Sequence, residues 1–440
     1  MKPWRALWNI RREEGPAAAA MSACFFVIIA VFWILKPLKK GLFVEHYDAA
    51  GLELLGFHLR AAQAELLAKI LNAAAAFAAM WLIASLSRRL DRSRLVSALA
   101  AALAACCIAF ALGLARPTGP TLWAFYVFGD VFNMLLVAAF FAFVNDSVTP
   151  DGAKRLYGVI VLGGVLGGVF GSTVLASSVR SLSAPSWLLI AAAGTISVAV
   201  AARLADHFAA ALRRSSPATP DADAPPPLRG PAAVEGARLT LGSRYLLSIA
   251  AIVGLYELVS TLSDFQFTET VSHYLNGPDI RAHVSVVYMA TNAISMAVQI
   301  FVTGFAMSRL GVGRTLLVLP VVVLAASAGF LALPVLWAGS LLSVADNGLN
   351  YSINQSAREA LYVPTSRAEK YRAKAFIDVF VQRFAKALAV GLGLLLSAAF
   401  TELDDVRWLS LVTVALVGLW IAAARFAGKR FEALTRARPD

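Results

Sequence analysis

The sequence predicts an all-α polytopic membrane protein with twelve transmembrane helices. Three observations predict it. Of 440 residues, 59% are hydrophobic and only 15% are charged, far from the balance of soluble domains. Mean hydropathy is +0.70. Apolar runs of about 20 residues, the length that carries a helix across a bilayer, recur along the whole chain.

Runs between charged or Pro/Gly breaks place six spans at 17–44, 62–87, 95–115, 121–145, 154–180 and 186–207. Six more follow at 243–272, 281–308, 314–332, 335–360, 371–400 and 405–427. The basic front of the first imitates a signal peptide. No Ala-x-Ala cleavage site follows its apolar core, and a lysine cluster does, so it reads as a retained span. Between the sixth and seventh runs lies "LRRSSPATPDADAPPPLRGPAAVEGAR", rich in Pro, Ala and Asp. That composition predicts a disordered linker. The expected layout is a cytoplasmic N-terminal segment (1–16), an N-terminal six-helix half (17–207), a cytoplasmic linker (208–242), a C-terminal six-helix half (243–427) and a cytoplasmic tail (428–440).

Loop charge sets the orientation. Arg11, Arg12, Arg88, Arg89, Arg92, Arg94, Lys154, Arg155, Arg213, Arg214, Arg229, Arg309, Arg314, Arg367, Lys370, Arg372, Lys429 and Arg430 fall on one side; the other shows little beyond Arg116, Arg180, Arg281 and Arg407. Both termini and the linker are therefore expected in the cytoplasm. The formal net charge of +12 needs no nucleic-acid partner once this bias is counted.

The halves echo each other. Arg89-Leu90 and Arg94, between spans two and three, align with Arg309-Leu310 and Arg314, between spans eight and nine. "FVEHY" (43–47) aligns with "TVSHY" (270–274) at the ends of spans one and seven. The loop at 88–94 resembles the Asp-Arg-x-x-Arg loop of major facilitator transporters. That resemblance and the 6+6 count imply a major-facilitator-like architecture, with a substrate site near midplane between the halves.

Several chemistries lack their motifs. There is no G-x-x-x-x-G-K-[ST] loop, no H-E-x-x-H and no G-x-S-x-G. Cys24, Cys106 and Cys107 sit in apolar runs and read as small buried hydrophobes. An enzyme is not expected, and neither is a cofactor or metal. Gly163, Gly167 and Gly171, with Gly164 and Gly168, repeat every fourth residue in span five, a pattern for close helix approach.

Charge inside the spans is the informative signal, because each such group costs roughly 2.5–3.5 kcal/mol on insertion scales. Lys36, Lys39 and Lys40 share one helical face beside Pro37. They either snorkel to the outer interface or, if "GLFVEHY" continues the helix, lie deeper and form an anion site. Span seven carries Glu257, Thr261, Asp264 and Thr268 on one stripe, where Glu257 or Asp264 can balance a lysine or form a structural ion pair. Span ten carries Asn347, Asn350, Tyr351, Asn354 and Arg358, able to hydrogen-bond a base or sugar or to bind neighbouring helices. Span four has a shorter version with Asp130 and Asn133. Span eleven spaces Lys374, Asp378, Gln382 and Lys386 by fours; Lys374 and Asp378 can neutralise each other, leaving Arg383 and Lys386.

Three segments resemble the ATP/ADP carrier family, the nucleotide transporters of intracellular bacteria and plastids and their relatives in free-living bacteria. They are "FAFVNDSVTPDGAKRLYGVIVLGG" (141–164), "AREALYVPTSRAEKYRAKAFIDVFVQRFAKAL" (357–388) and "ILKPLKKGLF" (34–43). The resemblance implies a twelve-span fold, nucleotide exchange such as ATP for ADP, and phosphate-handling lysines at Lys39 and Lys386. Lys36 stands where the family often has Arg, and Lys40 where it often has an acid.

The leading function is a secondary transporter for an anionic, phosphorylated metabolite, with ATP/ADP-type exchange favoured. Lys36, Lys39, Lys40, Asn350, Asn354, Arg383 and Lys386 are the candidate substrate residues. Asp130, Glu257, Asp264 and Asp378 are the candidate coupling or charge-balancing residues. The lysines of span one are expected to meet Arg383 and Lys386 in a central chamber. One alternative is a proton-coupled symporter of another organic acid or chelate; another is a non-transport assembly or sensor protein. The expected partners are the small anionic substrate and the lipid bilayer, a monomer suffices for the reading, and the expected location is a bacterial inner membrane.

Overall fold

The computed structural model describes residues 14–54, 56–87, 89–148, 150–215, 232–366, 369–397 and 403–436. The first residues of the expected N-terminal segment, residues 216–231 of the expected linker and the end of the tail lie outside them. The described residues are all-α apart from one hairpin, and eleven described helices are long and apolar enough to cross a membrane.

The first helices are α1 (Gly15–Ala50), α2 (Ala61–Leu86), α3 (Arg92–Gly113), α4 (Gly119–Ser147), α5 (Pro150–Ser178) and α6 (Ala184–Ser215). A two-stranded antiparallel hairpin, β1 (Leu52–Leu54) and β2 (Phe57–Leu59), separates α1 from α2. Then come the short α7 (Ala232–Gly242), α8 (Arg244–Tyr274), α9 (Pro278–Arg309) and α10 (Gly311–Ala332). Residues 336–360 form α11, Lys374–Ser397 form α12 and Leu409–Arg436 form α13. Helix therefore occupies residues 208–215 and 232–242, both expected to be disordered linker.

The tenth expected span is the one that departs from the apolar count. α11 is helical, but it is not among the eleven. Asp346, Asn347, Asn350, Asn354, Arg358 and Glu359 dilute its apolar content. Its middle, Asn350–Asn354, is wound as π-helix, as are Val298–Thr303 in α9, Glu369–Ala373 just before α12 and Ile377–Val381 within it. Such wide turns shift the angular position of every later side chain.

The chain divides into two compact units, interleaved in sequence. Unit 1 comprises Met1–Ala50, Leu71–Pro220 and Gly277–Asn292, and unit 2 comprises Gly51–Ile70, Asp221–Asn276 and Ala293–Asp440.

In unit 1, α1 is the hub, packed against α4, α5 and α6. The α1–α5 contact explains the glycine repeat. A Cβ at Gly163, Gly167 or Gly171 would lie 2.3, 2.3 or 2.1 Å from the carbonyl oxygens of Ser22, Phe26 and Ala30. Backbone meets backbone along three turns, so any side chain there forces the helices apart. Above this seam Phe25 stacks on Phe140 at 4.9 Å between centroids.

In unit 2, α8 is the hub, packed against α11, α12 and α13. Tyr256 and Trp420 meet edge to face at 5.7 Å within a core that includes Leu319, Val323, Leu342 and Leu361. The opening helix of each expected half thus packs on the fourth, fifth and sixth spans of the same half. Both echoed sequence halves build their cores the same way.

Candidate functional site

α1 runs unbroken through Pro37 to Ala50, so the three lysines lie well inside a continuous helix. Lys39 and Lys40 are buried, at 4% and 3% exposure, whereas Lys36 is half-buried. Side chains this enclosed are not snorkelling.

Lys39 reaches α4. Its ammonium lies 2.6 Å from Asp130 Oδ1, donates to the Tyr126 carbonyl at 3.1 Å and sits 4.4 Å above the centre of the Tyr126 ring. Its stem runs over Gly129, where an added Cβ would fall 2.6 Å from Lys39 Cδ. The other carboxylate oxygen of Asp130 accepts a hydrogen bond from Asn72 Nδ2 of α2. Lys36 faces aromatic rings: Trp33 at 4.7 Å, Tyr288 at 5.2 Å and Phe32 at 5.8 Å from the ring centres. A half-buried ammonium over ring faces gains about 1 kcal/mol. Near the end of α1, Trp123 donates to the Tyr47 hydroxyl at 2.8 Å.

The remaining candidates lie in unit 2. Glu257 is buried and accepts from Gln382 Nε2 at 2.6 Å. Asp264 pairs with Lys69 of α2 at 2.5 Å. Two further ties join the same stretches of chain: Thr268 donates to Glu65 Oε2 at 2.8 Å, and Arg60 lies 3.3 Å from Glu269. The acids of α8 are thus engaged by Gln382 and Lys69, partners that spacing along α8 could not show.

The polar stripe of α11 is partly consumed by its own helix. Asn354, fully buried, donates to Asn350 Oδ1 at 2.9 Å, and Asn347 donates to the Ser343 carbonyl at 3.1 Å. Tyr351 is exposed. In α12, Lys374 pairs with Glu359 at 2.5 Å and sits over the Tyr362 ring, rather than pairing with Asp378 one turn on. Asp378 is half-buried on the π-helical segment. Arg383 and Lys386 are half-buried, and Lys386 makes no hydrogen bond or ion pair among the described residues.

Sequence reasoning missed four polar groups that the fold makes prominent. Glu65 and Lys69 open α2, Asn72 follows on it, and Asp346 is buried in α11, accepting from Ser260 at 2.6 Å. The signal for the first two was present: an acid and a lysine four residues apart near the start of an apolar run.

Residues 332–431 match the TLC ATP/ADP transporter family. That stretch contains Asn350, Asn354, Asp378, Arg383 and Lys386. ADP,ATP carrier protein 2 of Chlamydia pneumoniae is 25% identical over 215 residues, 43% of this chain and 39% of the carrier. The plastidic ATP/ADP-transporter of Solanum tuberosum is 22% identical over 338 residues, 70% of this chain and 53% of the transporter. The chain is similar to the ATP/ADP carriers over these stretches. It matches only about half the length of these carriers, or less.

Fold likeness extends over nearly the whole molecule. The nucleoside transporter NupG superimposes with a TM-score of 0.60 at 15% identity, covering 96% of this chain and 100% of NupG. A peptide transporter, POT, superimposes with a TM-score of 0.59 at 14% identity, covering 96% of this chain and 99% of POT. The chain therefore shares the fold of these transporters, in a multi-pass membrane protein.

Proposed function

We propose that the chain is a secondary transporter that moves an anionic nucleotide by alternating access, exchanging an ATP-like for an ADP-like species. The observation that carries the reading is Lys386. It is a half-buried lysine in a membrane helix, it has no ionic partner among the described residues, and it lies in the stretch matched by the ATP/ADP transporter family. A cation in that setting is stabilised by a negatively charged solute. Lys36, Lys39, Lys40, Asn350, Asn354 and Arg383 serve the same substrate in this reading, and Asp130, Glu257, Asp264 and Asp378 balance charge when it is absent. The location that goes with it is a bacterial inner membrane, both termini cytoplasmic.

The test is uptake of labelled ATP into proteoliposomes preloaded with ADP. Uptake should require internal nucleotide and should be lost in Lys39→Ala and Lys386→Ala while both variants still purify as folded protein. Normal uptake by either variant would remove it from the site; uptake by neither variant nor the parent protein would remove the nucleotide assignment.

Asp346 favours a second reading. A carboxylate 1% exposed inside a membrane protein is a natural proton carrier. A proton-coupled symporter would accumulate substrate on a pH gradient with no counter-substrate inside.

A further inference from the structure

Lys39 and Asp130 do not share their pair equally. The ammonium is 4% exposed, while the carboxylate is 42% exposed. A solute approaching this part of unit 1 meets the negative partner, not the positive one. An anion can reach Lys39 only if Asp130 moves aside.

Asp130 has a second anchor to move toward. Asn72 Nδ2 already donates to Asp130 Oδ2, and Asn72 Oδ1 is a buried oxygen with no hydrogen-bond partner among the described residues. A primary amide is both donor and acceptor. It can hold a carboxylate through its N–H and, after a flip, a carboxylic acid through its oxygen. Lys39 is meanwhile confined. Its stem lies on Gly129 and its head donates to the Tyr126 carbonyl, so the ammonium stays when the carboxylate leaves.

We propose that Asn72 is a positioning residue that keeps Asp130 as an exchangeable counter-ion. With the site empty, Asp130 neutralises Lys39. When substrate binds, a phosphate-like oxyanion takes Lys39 and Asp130 remains on the Asn72 amide. This rests on the anion-transport reading above and adds to it the group that makes release of the carboxylate affordable. Without Asn72, a carboxylate freed from Lys39 would have one charged hydrogen bond fewer.

A double-mutant cycle on the full-length protein tests it, read as the dissociation constant for ATP by thermal shift and calorimetry. Asn72→Leu should weaken ATP binding about fivefold, because its hydrogen bond to Asp130 is present in both states and is worth more once Lys39 no longer neutralises the carboxylate. Asn72→Gln should restore part of the loss. In an Asp130→Asn background there is no counter-ion to hold, so adding Asn72→Leu should change affinity less than about twofold. Equal losses in both backgrounds, or no loss from Asn72→Leu alone, would overturn the proposal. If the parent protein binds no ATP, the nucleotide reading fails, and the same cycle is read with inorganic pyrophosphate as a bare oxyanion. If pyrophosphate does not bind either, this inference fails with it.

Discussion

Lys69 Nζ lies 2.5 Å from Asp264 Oδ2, joining two residues 195 positions apart in sequence. The side chains are 10% and 20% exposed, so the pair is largely shielded from water. The pair has neighbours on the same two stretches of chain, Glu65 with Thr268 and Arg60 with Glu269.

Breaking this pair from one side should therefore cost more than removing it. Lys69→Ala strands a carboxylate, and the expected loss of stability is roughly 3–5 kcal/mol. Lys69→Met together with Asp264→Leu should recover most of that loss. Melting temperatures of the purified variants in one detergent check it; a double variant as unstable as the single one would show that packing, not charge, decides here.

Lys39 and Lys386 should separate in the same assay. Lys39 neutralises Asp130 and donates to a carbonyl, so Lys39→Ala leaves a carboxylate behind and should lower the melting temperature. Lys386 has no ionic partner among the described residues, so Lys386→Ala should leave it unchanged or raise it. Both should abolish ATP uptake. A large destabilisation from Lys386→Ala would mean that its charge is already paired in the fold.

Gly129→Ala should displace Lys39 without removing it. The new methyl would sit 2.6 Å from Lys39 Cδ, within the contact distance of two carbons. The expected structural cost is about 1–3 kcal/mol, typical of overpacking. Loss of uptake well beyond the loss of folded protein would show that the position of the ammonium, not its presence alone, matters. Uptake equal to the parent's would show that the lysine tolerates the shift.

The α1–α5 seam gives a stability prediction away from any charge. Gly167→Leu would drive a side chain into the Phe26 backbone, where even a Cβ lies 2.3 Å from the carbonyl oxygen. Backbone cannot rotate away as a flexible side chain can, so the variant should fail to accumulate in the membrane. Gly158→Leu, in the same helix with nothing within 4 Å of an added Cβ, is the matched control and should accumulate normally.

What was legible in the sequence followed what each helix could declare alone. The apolar period placed the spans, and the fourfold glycine spacing announced a close helix contact. Lys36, Lys39 and Lys40 could be recognised as unusual because three cations interrupt an apolar run. Asn72 could not be recognised, since one amide in a long apolar helix gains meaning only from the Asp130 carboxylate opposite. Lys69 and Glu65 vanish in any hydropathy average over the rest of α2. Helical spacing shows that Lys374 can neutralise Asp378, whereas its partner Glu359, on the preceding helix, arrives through the turn between them. The π-helical segments leave no periodic mark, so the faces expected for Asn350, Asn354 and Asp378 were drawn on ideal α-helices.

The polarity of α11 bears on how the protein is made. A segment with Asp346, several amides, Arg358 and Glu359 gains little from lipid when it leaves the translocon by itself. As the tenth span of the layout expected from sequence, it should enter the bilayer only together with hydrophobic segments synthesised before and after it. Nascent chains stopped shortly beyond residue 360 should therefore leave this helix outside the membrane, while chains released after α13 should carry it in.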